Sequence, residues 1–217
     1  MRINLASRDL WPIVSSLSLL SASVLAFISP ETATAAELAI PPGQVIVGGQ
    51  ELSLRGHGVS TRYTLEVCVV ALYLPRQLIG VDEVLRGSQA RRIQIVLLRD
   101  VSLDDFRSGL IELGRSDRGS TAAQRSATNL QKLSEELSSR LGSLNRGDVV
   151  AIDWVPGAGV TVSRNGRLAA GPIPDEDLFH TLAGIWVGPD SKDSDLRSSL
   201  LAGLDMQRTA EKVTRRR

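Results

Sequence analysis

The sequence predicts an α+β fold in which an antiparallel β-sheet has its helices packed on one face. Three observations predict it. Strand-like segments come first, then helical ones, then strands and helices again, so the βαβ alternation of a parallel sheet is missing. Asn165-Gly166 lies between two strand-like runs, the signature of a two-residue antiparallel hairpin. Leu130, Leu133, Leu137, Leu141 and Leu144 step by three and four residues, giving one helix an apolar stripe to lay on that sheet.

The chain has 217 residues, 42% of them hydrophobic, which is enough for one domain with a buried core. Its net charge of +1 excludes a global electrostatic footprint for nucleic acid. A single cysteine, Cys68, excludes an intrachain disulfide framework and a multi-cysteine zinc site. Residues 1–36 have the layout of a secretory signal peptide. Arg2 and Arg8 precede an uncharged run from Leu10 to Pro30, and Ala33-Thr34-Ala35 supplies a small-x-small cleavage site. Cleavage is expected near Ala35 or Ala36, leaving a domain over 37–205 and a basic tail over 206–217. The expected location is periplasmic or secreted, with no stable membrane insertion once the leader is removed. An uncleaved N-terminal anchor is the alternative.

The elements follow in order. Pro41-Pro42-Gly43 opens the domain. Val45-Ile46-Val47 and Glu51 to Arg55 read as a hairpin around Gly48-Gly49, with Gly56-His57-Gly58 breaking the pattern. Val59 to Leu74 reads as one long strand ended by Pro75. Its period of two puts Ser60, Arg62, Thr64, Glu66 and Cys68 on one face. Arg92 to Arg99 is apolar on both sides, as in a central strand. Ser102 can cap a helix whose first turn holds Asp104 and Asp105, and Gly114 closes it. The leucine-striped helix follows, stopped by Asn145-Arg146-Gly147-Asp148. Val149 to Val155, Val160 to Ser163 and Arg167 to Ile173 are strands. Pro174-Asp175-Glu176-Asp177 starts a helix that Gly188-Pro189 ends. A last helix runs from Ser194 to Ala202, stopped by Gly203, and the chain frays from Met206.

No chemical motif stands out among the residues. Gly48-Gly49 and Gly157-Ala158-Gly159 are followed by no helix, so they read as turns and not phosphate loops. There is no G-x-S-x-G. His57 lies in a glycine turn, and His180 reads as a structural histidine of a helix. The acids at 104–105 and 175–177 suit helix N-termini without a metal. No metal and no cofactor is expected. Cys68 reads as a small buried apolar residue.

Two stretches resemble a known family. GHGVSTRYTLEVCVVALYLP, from Gly56 to Pro75, resembles the G-x-G-V-R-x-(R/K) … (A/G)-(L/V)-Y-L segment of chalcone isomerase-like proteins. Ile152 to Gly203 is similar to the closing half of that family's bacterial, exported branch. It has a D-W-V-P-G-A-G-V hairpin, an N-G turn, an I-P-D-E-D-L-F helix start and an I-W-V-G end. The resemblance implies a chalcone isomerase-like open-faced antiparallel sheet with helices packed on one face. It also implies a site. In true chalcone isomerases, which close a chalcone to a flavanone, the arginine after G-x-G-V supports developing negative charge. Here that position is Ser60. A substrate-placing threonine matches Cys68, and the family's catalytic tyrosine has no counterpart between Phe106 and Leu144. Arg62, two residues from Ser60, is the remaining cation.

The implied ligand-binding set is therefore Ser60, Arg62, Thr64 and Cys68, with Ser60 and Arg62 the only catalytic candidates. Three readings follow from the resemblance. The first is a non-catalytic binder of a small amphipathic ligand, a fatty acid or a phenolic acid. The second is an intramolecular lyase or isomerase on another substrate. The third is a ligand-free protein that binds an unidentified protein partner.

Overall fold

The computed structural model describes residues 40–62, 65–77, 80–113 and 121–214, all within one unit, Ala33–Arg217. The leader lies outside the described residues. Among the described residues, seven strands form one antiparallel sheet in sequence order: β1 (Gln44–Val47), β2 (Gln50–Arg62), β3 (Leu65–Leu74), β4 (Arg91–Leu97), β5 (Val149–Val155), β6 (Gly159–Arg164) and β7 (Arg167–Ile173). The helices are α1 (Val81–Arg86), α2 (Leu103–Leu113), α3 (Thr121–Arg140), α4 (Glu176–Val187) and α5 (Ser194–Thr214).

Strand alternation sorts the sheet into two faces. Cys68, Val70, Leu72 and Leu74 of β3 join Ile93, Ile95 and Leu97 of β4 and Val150 and Ile152 of β5 under the helices. The α3 leucines and Leu178, Phe179 and Leu182 of α4 complete this main core. Val69, Ala71 and Tyr73 turn to the other face, where smaller clusters form with Leu52, Ala90 and Val96. The two-sided β4 is indeed central, the fourth strand of seven.

The caps form where their residue types favour them. Ser102 Oγ accepts from Asp105 N at 3.0 Å and donates to the Asp105 carboxylate at 2.6 Å, closing the first turn of α2. Asp175 is the N-cap of α4, accepting from Leu178 N, so Pro174 stands just before the helix and not in its first turn. Its other oxygen holds Asn129 at 2.7 Å, which ties α3 to α4. Asn165 and Gly166 take φ of 50° and 77° in the β6–β7 turn, the positive values that such a hairpin needs.

Four elements differ from expectation. Gly56-His57-Gly58 does not break a strand; it runs inside β2. The span Val59–Leu74 is not one strand but two, β2 and β3, paired antiparallel across a connection at 63–64 that lies outside the described residues. A continuous period of two cannot distinguish a strand from a tight hairpin when the turn carries no glycine. Third, Gly203 does not stop α5, which continues to Thr214 and replaces the expected frayed start of the tail. A Cβ at Gly203 would run into Arg55 O, and one at Gly56 into the carbonyls of Ser199 and Leu200. The two glycines form a reciprocal notch where α5 lies directly on β2. Gly203 is therefore a packing residue. Helix α1 was not anticipated from sequence.

Candidate functional site

The hairpin decides which site residues meet. Ser60 of β2 stands directly opposite Cys68 of β3, so both side chains project from the helix-covered face. They share that face through hairpin register, not through one strand's alternation. Val67 is an unopposed bulge residue, because Thr61 pairs with Glu66 while Ser60 pairs with Cys68. The bulge puts Glu66 on Thr61's side of the sheet, which corrects its expected place beside Cys68. Arg62 is the last residue of β2, opposite Leu65 and two residues beyond Ser60. Its side chain, and Thr64 altogether, lie outside the described residues.

The Ser60–Cys68 pair forms a neutral wall. Cys68 is 9% exposed and faces Leu97 across β4. Burial pushes its thiol up to about 12, only partly offset by a hydrogen bond with Ser60. Such a thiol is protonated at neutral pH and is a poor nucleophile. Ser60 is half-buried. On the β1 side of this pair, α5 closes over the strand: a Cβ at Gly58 would stand 2.9 Å from Leu196 Cδ1.

The histidines take ordinary places. His57 is exposed in β2 and His180 is half-buried in α4. Among the described residues, no three His, Cys, Asp or Glu side chains cluster in a metal-holding arrangement.

The polar residue that sequence reasoning missed is Arg91. It opens β4 on the helix face and is fully buried. Its guanidinium donates to Val84 O at 3.0 Å and to Glu176 at 2.8 Å, and lies 4.9 Å from the Phe179 ring centre and 5.8 Å from that of Trp154. Burial lowers its pKa and Glu176 opposes that shift. The available signal was periodic: Arg91 has the same parity as Ile93, Ile95 and Leu97, so it sits on an apolar face. Its neighbour Arg92 points the other way and grips Asp153 through two bonds of 2.6 and 2.7 Å.

A family model described as chalcone isomerase-like matches residues 33–202. The chain belongs to that family. No curated protein sequence matches it. Among solved structures it is similar to a fatty-acid binding protein from Arabidopsis thaliana. That match has 14% identity and a TM-score of 0.55, and covers 75% of this chain and 98% of the other. At that identity the likeness shows a shared fold. The predicted antiparallel sheet with helices on one face is the fold observed.

Proposed function

We propose that this chalcone isomerase-like protein is exported and acts as a non-catalytic binder of a small amphipathic ligand, a fatty acid or a phenolic acid. One observation carries the reading: Ser60 and the protonated thiol of Cys68 face each other where the family's charge-stabilising arginine and substrate-placing threonine are expected. A neutral wall holds apolar surface but gives an oxyanion transition state no preorganised charge. Removing one such donor typically slows an enzyme about 100- to 1000-fold. The likeness to a protein described as fatty-acid binding agrees with this reading. In this proposal Arg62, two residues from Ser60 on β2, anchors the ligand's acid group.

The test is native mass spectrometry of the purified protein, then solvent extraction and identification of what is released, beside a chalcone cyclisation assay. The expected result is a recovered lipid or phenolic acid and cyclisation at the spontaneous rate. Arg62→Ala should weaken binding of an anionic ligand by about 1–3 kcal/mol. Cyclisation well above the spontaneous rate would overturn the reading in favour of an isomerase. The close packing of Leu196 over Gly58 favours a second reading, a filled cleft and a protein partner. An empty protein with no thermal shift across a panel of acids supports that one.

A further inference from the structure

The other end of β2 carries a different feature. Leu54 pairs with Tyr73 and Gly56 with Leu72, so Arg55 is the unopposed residue of a bulge. Bulges re-aim side chains. The Arg55 guanidinium turns to the chain leaving β3 and donates to Pro75 O at 2.9 Å and to Arg76 O. It thereby fixes the main chain of Arg76. The exposed Arg76 side chain folds back and donates from Nε to Ser53 Oγ at 3.2 Å.

Both arginines line an open, shallow cleft of about 600 Å³, together with Gly43, Gln44, Ser53 and Leu54. The pKa of Arg55 is lowered first by burial and then by the charge of Arg76. Nothing lies within 4 Å of where a Cβ of Gly43 would stand, and Gly43 O accepts from Leu54 N at 2.9 Å, which ties the residue before β1 to β2. Glu51, at the start of β2, is engaged by Gln44 Nε2 at 2.9 Å. Leu54 adds one apolar flank.

We infer that this cleft binds a small oxyanion, a carboxylate or a phosphate. Arg76 makes the charged contact, Ser53 makes the neutral one, and Arg55 holds the main chain that positions Arg76. A bound anion offsets the repulsion between the two guanidiniums, and a planar guanidinium suits a two-oxygen contact. The site is separate from the Ser60–Cys68 wall. Five residues of strand put it roughly 17 Å away, so its test does not depend on what the wall binds.

The experiment is an amide NMR titration of the full chain with inorganic phosphate, and separately with acetate, at constant ionic strength. Saturable shifts of Gly43, Gln44, Ser53 and Leu54 are expected for at least one ion. Saturation by both ions defines a general oxyanion site, and by phosphate alone a site for dianions. Arg76→Gln removes an exposed side chain and should raise the midpoint about tenfold or more, in line with losing a charged hydrogen bond. Arg146→Gln, on an exposed turn elsewhere, should leave the midpoint unchanged. Linear shifts that never saturate with either ion, or an Arg76→Gln protein that titrates like the wild type, would overturn the inference.

Discussion

The thiol of Cys68 lies under the helices with Leu97 across β4 and Ser60 across β2, and burial moves its ionisation up to about 12. At pH 8 the folded protein therefore holds almost no thiolate. A thiol reagent should label Cys68 rapidly in guanidinium chloride and only at the rate of opening in the native state. Native labelling at the rate of a free thiol would mean that the wall is open to solvent. Asp148 shows the opposite shift. Burial raises its pKa, but hydrogen bonds from Asn145 N and Asn165 Nδ2 and the Arg164 guanidinium outweigh that and hold it below the usual carboxylate range. A carboxyl with a lowered folded pKa adds stability above its unfolded pKa of about 3.9 and loses it as the pH falls further. Asp148→Asn should therefore destabilise the protein at pH 7 by about 1–3 kcal/mol. The gap from wild type should narrow below about pH 4. A gap that stays constant down to pH 2 would show that the carboxylate's charge contributes nothing.

Between elements, the contact that depends most on sequence is the notch where α5 lies on β2. Gly203 of the helix meets Arg55 O, and Gly56 of the strand meets the carbonyls of Ser199 and Leu200. All the atoms in the way are backbone, so no rotamer change can make room for a methyl group. In an exposed helix, glycine to alanine would stabilise by about 1 kcal/mol. Here Gly203→Ala should destabilise instead, by about 1–3 kcal/mol, because the helix must lift off the strand. Denaturant unfolding gives the sign directly, and a more stable variant would place Gly203 outside the interface. The same notch explains why sequence misread this element. A glycine near a helix end resembles a stop, and only the strand packed on it reveals that the helix continues.

For the whole molecule, the antiparallel order was legible because it rests on local signals: Asn165-Gly166, the leucine stripe of α3 and the acids that open α4. The hairpin between Arg62 and Leu65 was not legible, since no Asn-Gly or Asp-Gly marks its turn. The pairing of Ser60 with Cys68 is a register, and register depends on the bulge at Val67, which alternation cannot show. Arg91 was hidden for a related reason: its guanidinium is buried because Glu176, Val84 O and two rings converge on it from α1, α4 and β5, and all of these but Val84 are distant in sequence. The tie points at the start of the fold lie just inside the proposed mature chain. Tyr73 Oη donates to Pro42 O at 2.9 Å and Leu54 N to Gly43 O, while Ile40 is 71% exposed. On the proposal that residues 1–36 are a leader removed on export, they are not needed for the folded state, so a chain beginning at Glu37 should fold as well as the full one. Its Tm should lie within about 2 °C of the full chain's, since roughly 1 kcal/mol moves the Tm of a domain this size by 2–4 °C. A larger drop would make residues 1–36 part of the fold. It would also remove the physical basis for reading them as a cleaved leader, whatever compartment the protein is found in.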